Sequence, residues 1–173
     1  MDEVLNQSAL KIATAVRQGR VSAVELTEEV LARIEQRDKD IHAFVHVAHD
    51  YARRQAAEVD KKVAGGEDPG PLAGVPVPIK DLNMVAGVPM QAGSAALEGF
   101  VPEYDDGTVT RFANAGAIMV GKTSTPELGL PPYTETDIAP ATRNPWDATR
   151  SPGGSSGGAG AAVAAGMTPI AHG

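Results

Sequence analysis

Two adjacent serines, Ser155 and Ser156, lie within a run of glycines and are the side chains best placed by sequence to carry chemistry. The segment 151–173 reads SPGGSSGGAGAAVAAGMTPIAHG. Glycine allows backbone conformations that other residues avoid, so such a turn can hold one or both hydroxyls against a ligand. The same composition is typical of a flexible linker. The small-residue run 159–165 favours instead a buried, closely packed helix, because alanine is the best helix former.

A phosphate-binding loop is another interpretation of these glycines, since a glycine-rich turn that leads into a helix presents free backbone N–H groups to anions. A Walker loop requires Lys and Ser or Thr after its last glycine, whereas Gly158 is followed by Ala159 and Gly160. The dinucleotide pattern fails as well, because Val163 occupies its third glycine position. A phosphate- or nucleotide-binding α/β module is therefore the alternative from a different functional class.

Histidines are the other candidate ligands. His42 and His46 would share one face of a short predicted strand and could bind a metal there. No third ligand is near in sequence, and His49 and His172 show no ligand-type spacing. We therefore expect neither a metal site nor a cofactor.

Several segments resemble, in the same order and at similar spacing, the motifs of the amidase-signature family. The segment 151–166 resembles the family's glycine- and serine-rich signature. The run Val77–Asp81 resembles the strand that ends on the family's catalytic lysine. Residues 121–127 resemble its next strand and turn, and 143–147 resemble the loop ahead of the signature. The resemblance covers most of the chain and is to the N-terminal part of a free-standing amidase.

The resemblance implies a hydrolase that cleaves linear or cyclic amides through an acyl-enzyme, with a Ser, cis-Ser, Lys triad. Carried over by motif, Lys80 is the base, and Ser155 is the relay that passes a proton between the nucleophile and the lysine. The relay serine follows a cis peptide bond in the family. The residues implied to support it are Ser156, Gly153, Gly154 and Gly157.

The substrate pocket is less clearly marked. Gly129, Leu130 and Pro131 correspond roughly to a wall of the acyl pocket in relatives, although an ordinary turn explains them equally well. Tyr133 is an aromatic residue placed to line such a pocket. Ser124 departs from the pattern, because many relatives have Asn after Lys-Thr.

A lysine that acts as a base must be neutral. Since an exposed lysine titrates near about 10.4, Lys80 has to be desolvated, and burial at the end of the apolar run 75–79 would achieve this. The neighbouring Asp81 would favour the charged form if its carboxylate lay beside the ammonium. We expect the Asp81 side chain to point away, as adjacent strand residues do.

In the family, the nucleophilic serine lies in a second glycine-rich turn shortly after a segment like 168–173, and that turn also provides the oxyanion-hole N–H groups. The resemblance places both beyond Gly173, so we expect these 173 residues alone to be inactive. The expected partners are a small-molecule amide and the C-terminal part of the same protein, and a homodimer is a possible assembly.

Within the family, a free-standing amidase competes with the glutaminase subunit of a transamidating complex. The segments 125–129 and 143–173 look closer to free-standing amidases, including nylon cyclic-dimer hydrolases and aryl acylamidases.

The predicted fold class is α/β, with N-terminal helices followed by part of an α/β/α layered amidase-signature fold that has a mixed sheet and is incomplete at the C-terminus. We treat residues 1–173 as the N-terminal portion of a single domain. Its first part, 1–65, is mainly helical scaffold, and 72–173 begin the catalytic α/β core.

Local signals predict the elements. Two helices lie within 8–37 and are separated at 17–19, and the second begins at Ala23 after the capping box of Ser22 and Glu25. Its predicted core face is Leu26, Val30 and Ile34. Further along we predict a strand over 41–47, a surface helix over 50–64, strands over 75–79 and 117–120 flanking a helix near 108–115, and irregular structure over 131–152.

Composition excludes several classes. The formal net charge is −7, and the 15 basic residues form no cluster, so we expect no nucleic-acid partner. The absence of cysteine excludes a disulfide framework and a thiolate metal site. No apolar segment approaches the roughly 18 residues of a membrane span, and the N-terminus is acidic where a signal peptide is basic. We expect a cytoplasmic protein that does not bind membranes.

Overall fold

The computed structural model describes residues 2–173. Its helices are α1 (Asp2–Leu5), α2 (Ala9–Arg17), α3 (Ala23–Arg37), α4 (His49–Ala64), α5 (Gly107–Asn114) and α6 (Gly157–Ala164). Its strands are β1 (Phe44–Val47), β2 (Pro76–Lys80) and β3 (Ile118–Thr123). Short 3₁₀ turns cover Ala95–Leu97 and Glu127–Gly129. The layered α/β class predicted from the sequence is confirmed.

The break between α2 and α3 follows the local signals. Gly19 has φ +65°, the left-handed conformation that glycine adopts after a helix. Helix α3 begins at Ala23 as predicted, and Ser22 Oγ accepts the Glu25 N–H at 3.2 Å. Asp60 of α4 completes this cap, because its carboxylate accepts the Ala23 N–H at 2.7 Å. The N-terminus of α3 is thus capped by Asp60, a residue of another helix, as well as by Ser22.

The helical layer packs on the sheet through an apolar core. The predicted core face of α3, which is Leu26, Val30 and Ile34, is fully buried. It joins residues of α2, α4 and β2 in one hydrophobic cluster. Burial of such aliphatic side chains contributes about 1.5–3 kcal/mol each. The N-terminal helices therefore serve as a scaffold behind the strands.

The sheet has the order β1–β3–β2, with β3 antiparallel to β1 and parallel to β2. This mixed arrangement agrees with the prediction. Every residue of β2 and β3 is buried. In the parallel pair, Ile79 is in register with Lys122 and Lys80 with Thr123. The carboxyl ends of two buried strands therefore bring Lys80 and Lys122 to the same edge.

The strand expected over 41–47 begins only at Phe44. His42 has φ +57°, and the Asp38 carboxylate accepts the N–H groups of Ala43 at 2.6 Å and Phe44 at 3.2 Å. These bonds hold the segment before Phe44 in a turn. His42 consequently does not share a strand face with His46, and the geometry considered for a histidine pair is wrong.

Strand β3 extends to Thr123, three residues beyond the end predicted from its apolar run, and so includes the segment 121–123 that resembles a strand of the family. A Cβ at Gly121 would lie 2.5 Å from His46 O, so this glycine allows the close approach of β1 instead of ending the strand. Residues 131–152 are irregular as expected, apart from one isolated bridge between Asn144 and Asp147. Across residues 2–173, the helices are too short or too polar to cross a lipid bilayer.

Candidate active site

The lysine and both serines singled out in the sequence meet at one point. Lys80 Nζ lies 2.7 Å from Ser155 Oγ and 2.8 Å from Ser156 Oγ, which is hydrogen-bonding distance for both. Lys80 is the last residue of β2 and is only 7% exposed. The peptide bond between Gly154 and Ser155 is cis, the isomer that the resemblance implies.

The turn that carries the serines is held from two sides. Thr134 Oγ1 donates a hydrogen bond to Gly153 O at 2.8 Å. A Cβ at Gly154 would come within 2.7 Å of Tyr133 N, so the segment around Tyr133 lies directly against the turn. Gly153 and Gly154 thus lie in a turn that is packed against residues 133–134, which is not the behaviour of a flexible linker.

Helix α6 begins in contact with the end of β3. The Gly158 N–H donates to Ser124 O at 3.2 Å, and a Cβ at Gly158 would collide with Ser124 N. Gly157 is equally confined, since a Cβ there would collide with Thr134 Oγ1. The sheet thus occupies an N–H group of Gly158 that a phosphate loop would need for its anion. The glycines allow close packing, and they anchor the serine turn to the sheet.

Burial lowers the pKa of Lys80 below its ordinary value of 10.5. A second titratable group lies close by: burial, followed by the charge of Lys80, lowers the pKa of His172. The His172 backbone N–H donates to Pro78 O of β2 at 3.0 Å, so the last residues of the chain run beside the strand that carries the lysine. Burial at this strand end thus shifts Lys80 toward the neutral form that a base requires.

Asp81 points away from Lys80, as predicted. Its Oδ1 lies 2.8 Å from Lys122 Nζ, and its Oδ2 accepts the backbone N–H groups of Gln91 at 3.0 Å and Ala92 at 2.9 Å. Asp81 is 1% exposed and Lys122 is fully buried. Sequence reasoning missed this pair. The signal was available in Lys122, which follows a predicted apolar strand. A buried lysine is almost always paired, so an acidic partner could have been expected.

The predicted pocket residues separate into two groups. Pro131 and Tyr133 line a cavity of about 240 Å³, together with Gly93, Ala95, Glu127, Glu135 and neighbouring residues. Gly129 and Leu130 are not part of its lining. Leu130 is 80% exposed, and Gly129 faces Leu82. The structure therefore brings Pro131 and Tyr133, but not the other two, to a cavity.

Metal ligation has little geometric basis here. Within the part of the chain that the structure describes, no group of three or more His, Asp or Glu side chains is placed to hold a metal ion.

Comparison with known proteins places this geometry in a family. The Amidase family model matches residues 25–173. A curated relative from Thermobifida fusca (strain YX), a subunit of its glutamyl-tRNA(Gln) amidotransferase, is 47% identical over 173 residues, which is 100% of this chain and 35% of the relative. The chain thus spans about a third of the length of the curated relatives it matches.

Solved structures of similar sequence share this fold. The 6-aminohexanoate cyclic dimer hydrolase is 38% identical with a TM-score of 0.87, over 96% of this chain and 33% of that one. A bacterial aryl acylamidase described as an amidase-signature enzyme is 34% identical with a TM-score of 0.90, over 98% of this chain and 35% of that one. The sequence motifs, the fold and the family model agree, and the chain belongs to the amidase-signature family.

Proposed function

We propose that this chain carries the base and the proton relay of an amidase that works through a Ser/cis-Ser/Lys triad. The observation that carries the proposal is the position of Lys80 Nζ, within 2.8 Å of both serine hydroxyls at the end of a buried strand. An ammonium in such a place is disfavoured, and a neutral amine there can accept a proton from a hydroxyl.

The proposed chemistry is a relayed proton transfer. Neutral Lys80 accepts the proton of Ser155 Oγ, and Ser155 accepts the proton of the nucleophilic serine as that oxygen attacks the amide carbon. The proton then returns through Ser155 to the leaving amine as the carbon–nitrogen bond breaks, which leaves an acyl-enzyme. A water molecule then attacks the ester while its proton passes through Ser155 to Lys80, and that proton returns to the nucleophilic serine as the acid leaves, which restores neutral Lys80.

We further propose that the nucleophile and the oxyanion hole come from residues that follow Gly173 in a longer protein. The chain matches about 35% of its curated relatives' length, which leaves room for them. Gly173 lies against the site, since a Cβ there would come 3.0 Å from Ser156 Oγ. The next residues would therefore emerge beside the lysine and the serines. Residues 1–173 are, in this proposal, the first portion of a single catalytic domain.

The direct test replaces Lys80 with alanine in a chain extended to the length of the relatives. Loss of a positioned base should lower kcat/KM for amide hydrolysis by about 10²- to 10⁴-fold, with the circular dichroism spectrum unchanged. Lys61→Ala is the matched control, because Lys61 lies on α4 with its side chain 79% exposed, and it should leave the rate unchanged. A Lys80→Ala protein that keeps its rate would remove the base from the mechanism.

The 173-residue chain alone supplies a complementary test. It should not hydrolyse amides, because nucleophilic attack and oxyanion stabilisation are the largest contributions to acyl transfer. Turnover by this chain that depends on Ser155 would show that the roles are assigned wrongly.

A glutaminase-type component of a transamidating complex is the second candidate. The 47% identity to the amidotransferase relative favours it, whereas the segments 125–129 and 143–173 favour a free-standing amidase. A free-standing enzyme would hydrolyse its amide at full rate when purified alone. A component of a complex would release ammonia from glutamine efficiently only with its partner proteins. The cytoplasmic location, the homodimer and the absence of nucleic-acid partners remain predictions from the sequence.

A further inference from the structure

We infer that the buried ion pair of Asp81 and Lys122 is a positioning pair for Lys80, which turns the Asp81 carboxylate away from the base and balances its charge. The inference rests on the proposed function, because it assigns a task only if Lys80 has to be neutral. Its starting point is chemical: a carboxylate follows directly after a lysine whose ammonium form must be disfavoured.

Asp81 is held by contacts of its backbone and of both carboxylate oxygens. Its backbone N–H donates to Thr123 O at 3.0 Å, which continues the β2–β3 ladder by one residue. Its Oδ1 pairs with Lys122 Nζ at 2.8 Å, and the N–H groups of Gln91 and Ala92 point at Oδ2. Both carboxylate oxygens thus have partners other than Lys80, and these contacts hold the carboxylate in its observed orientation.

Lys122 is committed equally fully. It has no exposed surface, and its Nζ donates to Asp81 Oδ1 and to Asn83 O, both at 2.8 Å. Burying such a pair is costly, and apolar residues of similar volume often stabilise a core as well or better. Stability alone is therefore a weak reason for a lysine at this position. The need to neutralise the carboxylate next to the base gives a specific reason for a lysine there.

The other charges around Lys80 fit this role. His172, on the segment beside β2, has its pKa lowered by burial and by Lys80, so it tends to be neutral and adds little charge. The Asp106 carboxylate is engaged by other partners, because it accepts the Asn83 amide at 3.1 Å and the Met84 N–H at 2.9 Å. Asp81 is therefore the closest carboxylate in sequence to the base, and Lys122 is the cation that pairs with it.

The pair also contacts the loop 91–95, which contributes Gly93 and Ala95 to the lining of the cavity. Ala92 O accepts the Leu128 N–H at 2.8 Å, and Ser94 Oγ donates to Glu127 at 2.7 Å. Removing the Asp81 carboxylate would disturb this loop as well as the charge balance. Lys122→Met is the cleaner change, because it leaves Asp81 with both backbone donors.

The test measures the pH dependence of kcat/KM for amide hydrolysis by the extended chain. In Lys122→Met the uncompensated carboxylate favours the charged form of Lys80. The acid limb of the profile, which is the range where kcat/KM rises as Lys80 loses its proton, therefore moves to higher pH. We expect a roughly tenfold lower kcat/KM at neutral pH that is recovered as the pH is raised. The double variant Asp81→Asn/Lys122→Met removes both charges and should return the limb toward that of the parent protein.

Controls separate this role from a structural one. Arg53→Met breaks the surface pair of Arg53 and Glu28, whose atoms lie 2.7 Å apart, and should leave the profile unchanged. A Lys122→Met profile that is lower at every pH, with its limb unmoved, would overturn the inference. If Lys122→Met does not fold, Asp81→Asn decides: the unbalanced Lys122 ammonium should move the limb to lower pH, and an unmoved limb overturns the inference.

Failure of the inference is distinct from failure of the proposed function. Lys80→Ala is measured in parallel with the pair variants. If it retains activity, the proposed base is wrong. If it is inactive and Lys122→Met shifts no limb, only the role of the pair is wrong.

Discussion

Ser155 and Ser156 contact the same amine at nearly the same distance, 2.7 and 2.8 Å, yet only Ser155 is assigned the relay. Distance alone predicts that replacing either hydroxyl would have the same effect. The mechanism predicts different effects, because protons pass through Ser155, whereas Ser156 only supports the lysine. The informative perturbation is therefore the pair of single variants Ser155→Ala and Ser156→Ala.

The expected magnitudes follow from these contacts. Ser156→Ala removes one hydrogen bond to an uncharged amine, worth about 0.5–1.5 kcal/mol, so kcat/KM should fall by roughly 2- to 13-fold. Ser155→Ala interrupts proton transfer, which contributes about 10²- to 10⁴-fold, and it also removes a hydrogen bond. We expect the Ser155 variant to be slower than the Ser156 variant by at least roughly tenfold.

The assay is amide hydrolysis by the extended chain, followed over a range of substrate concentrations. Ser8→Ala is a control for hydroxyl removal, because Ser8 precedes α2 without forming a side-chain cap hydrogen bond, and the variant should match the parent rate. Equal losses at Ser155 and Ser156, or a larger loss at Ser156, would refute the assignment of the relay.

Other predictions concern packing and pH. Gly158→Ala should severely destabilise the fold, because its methyl group would collide with Ser124 N. In the same helix, the methyl group of Gly160→Ala meets no atom within 4 Å, so this variant should raise the free energy of unfolding by about 0.5–1 kcal/mol. Urea denaturation of both variants checks this, and similar stabilities would contradict the packing described for α6. The rate of hydrolysis should rise with pH as Lys80 loses its proton, with an acid limb below the ordinary lysine value of 10.5. A pH–rate profile checks the limb, and a rate that falls over the same range would require a protonated lysine.

Local patterns were sufficient where the determining contacts are local. The start of α3 at Ala23 follows from Ser22, and the break before it follows from a glycine that adopts positive φ. The direction of Asp81 was predictable for the same reason, since side chains alternate along a strand. The motif order also brought Lys80 and the serine turn together correctly, although they are 75 residues apart.

Side-chain contacts and strand pairing that hydrophobic periodicity does not encode explain what was missed. Asp38 captures the Ala43 N–H and delays β1, and the approach of His46 O explains why β3 continues through Gly121. The partner of Lys122 could not be read from the sequence, because it depends on the β2–β3 register. Gly129 and Leu130 were tied to a pocket by resemblance alone, and their turn directs them elsewhere.

The central claim is that Lys80 is a buried amine held neutral beside two serine hydroxyls. Titration of its side-chain nitrogen by NMR, in protein with labelled lysine and with Lys80→Arg to assign the signal, tests this most directly. We expect a pKa below the ordinary 10.5, because burial disfavours the charged form. A Lys80 that titrates at or above the ordinary value would be an ammonium at neutral pH and could not serve as the base.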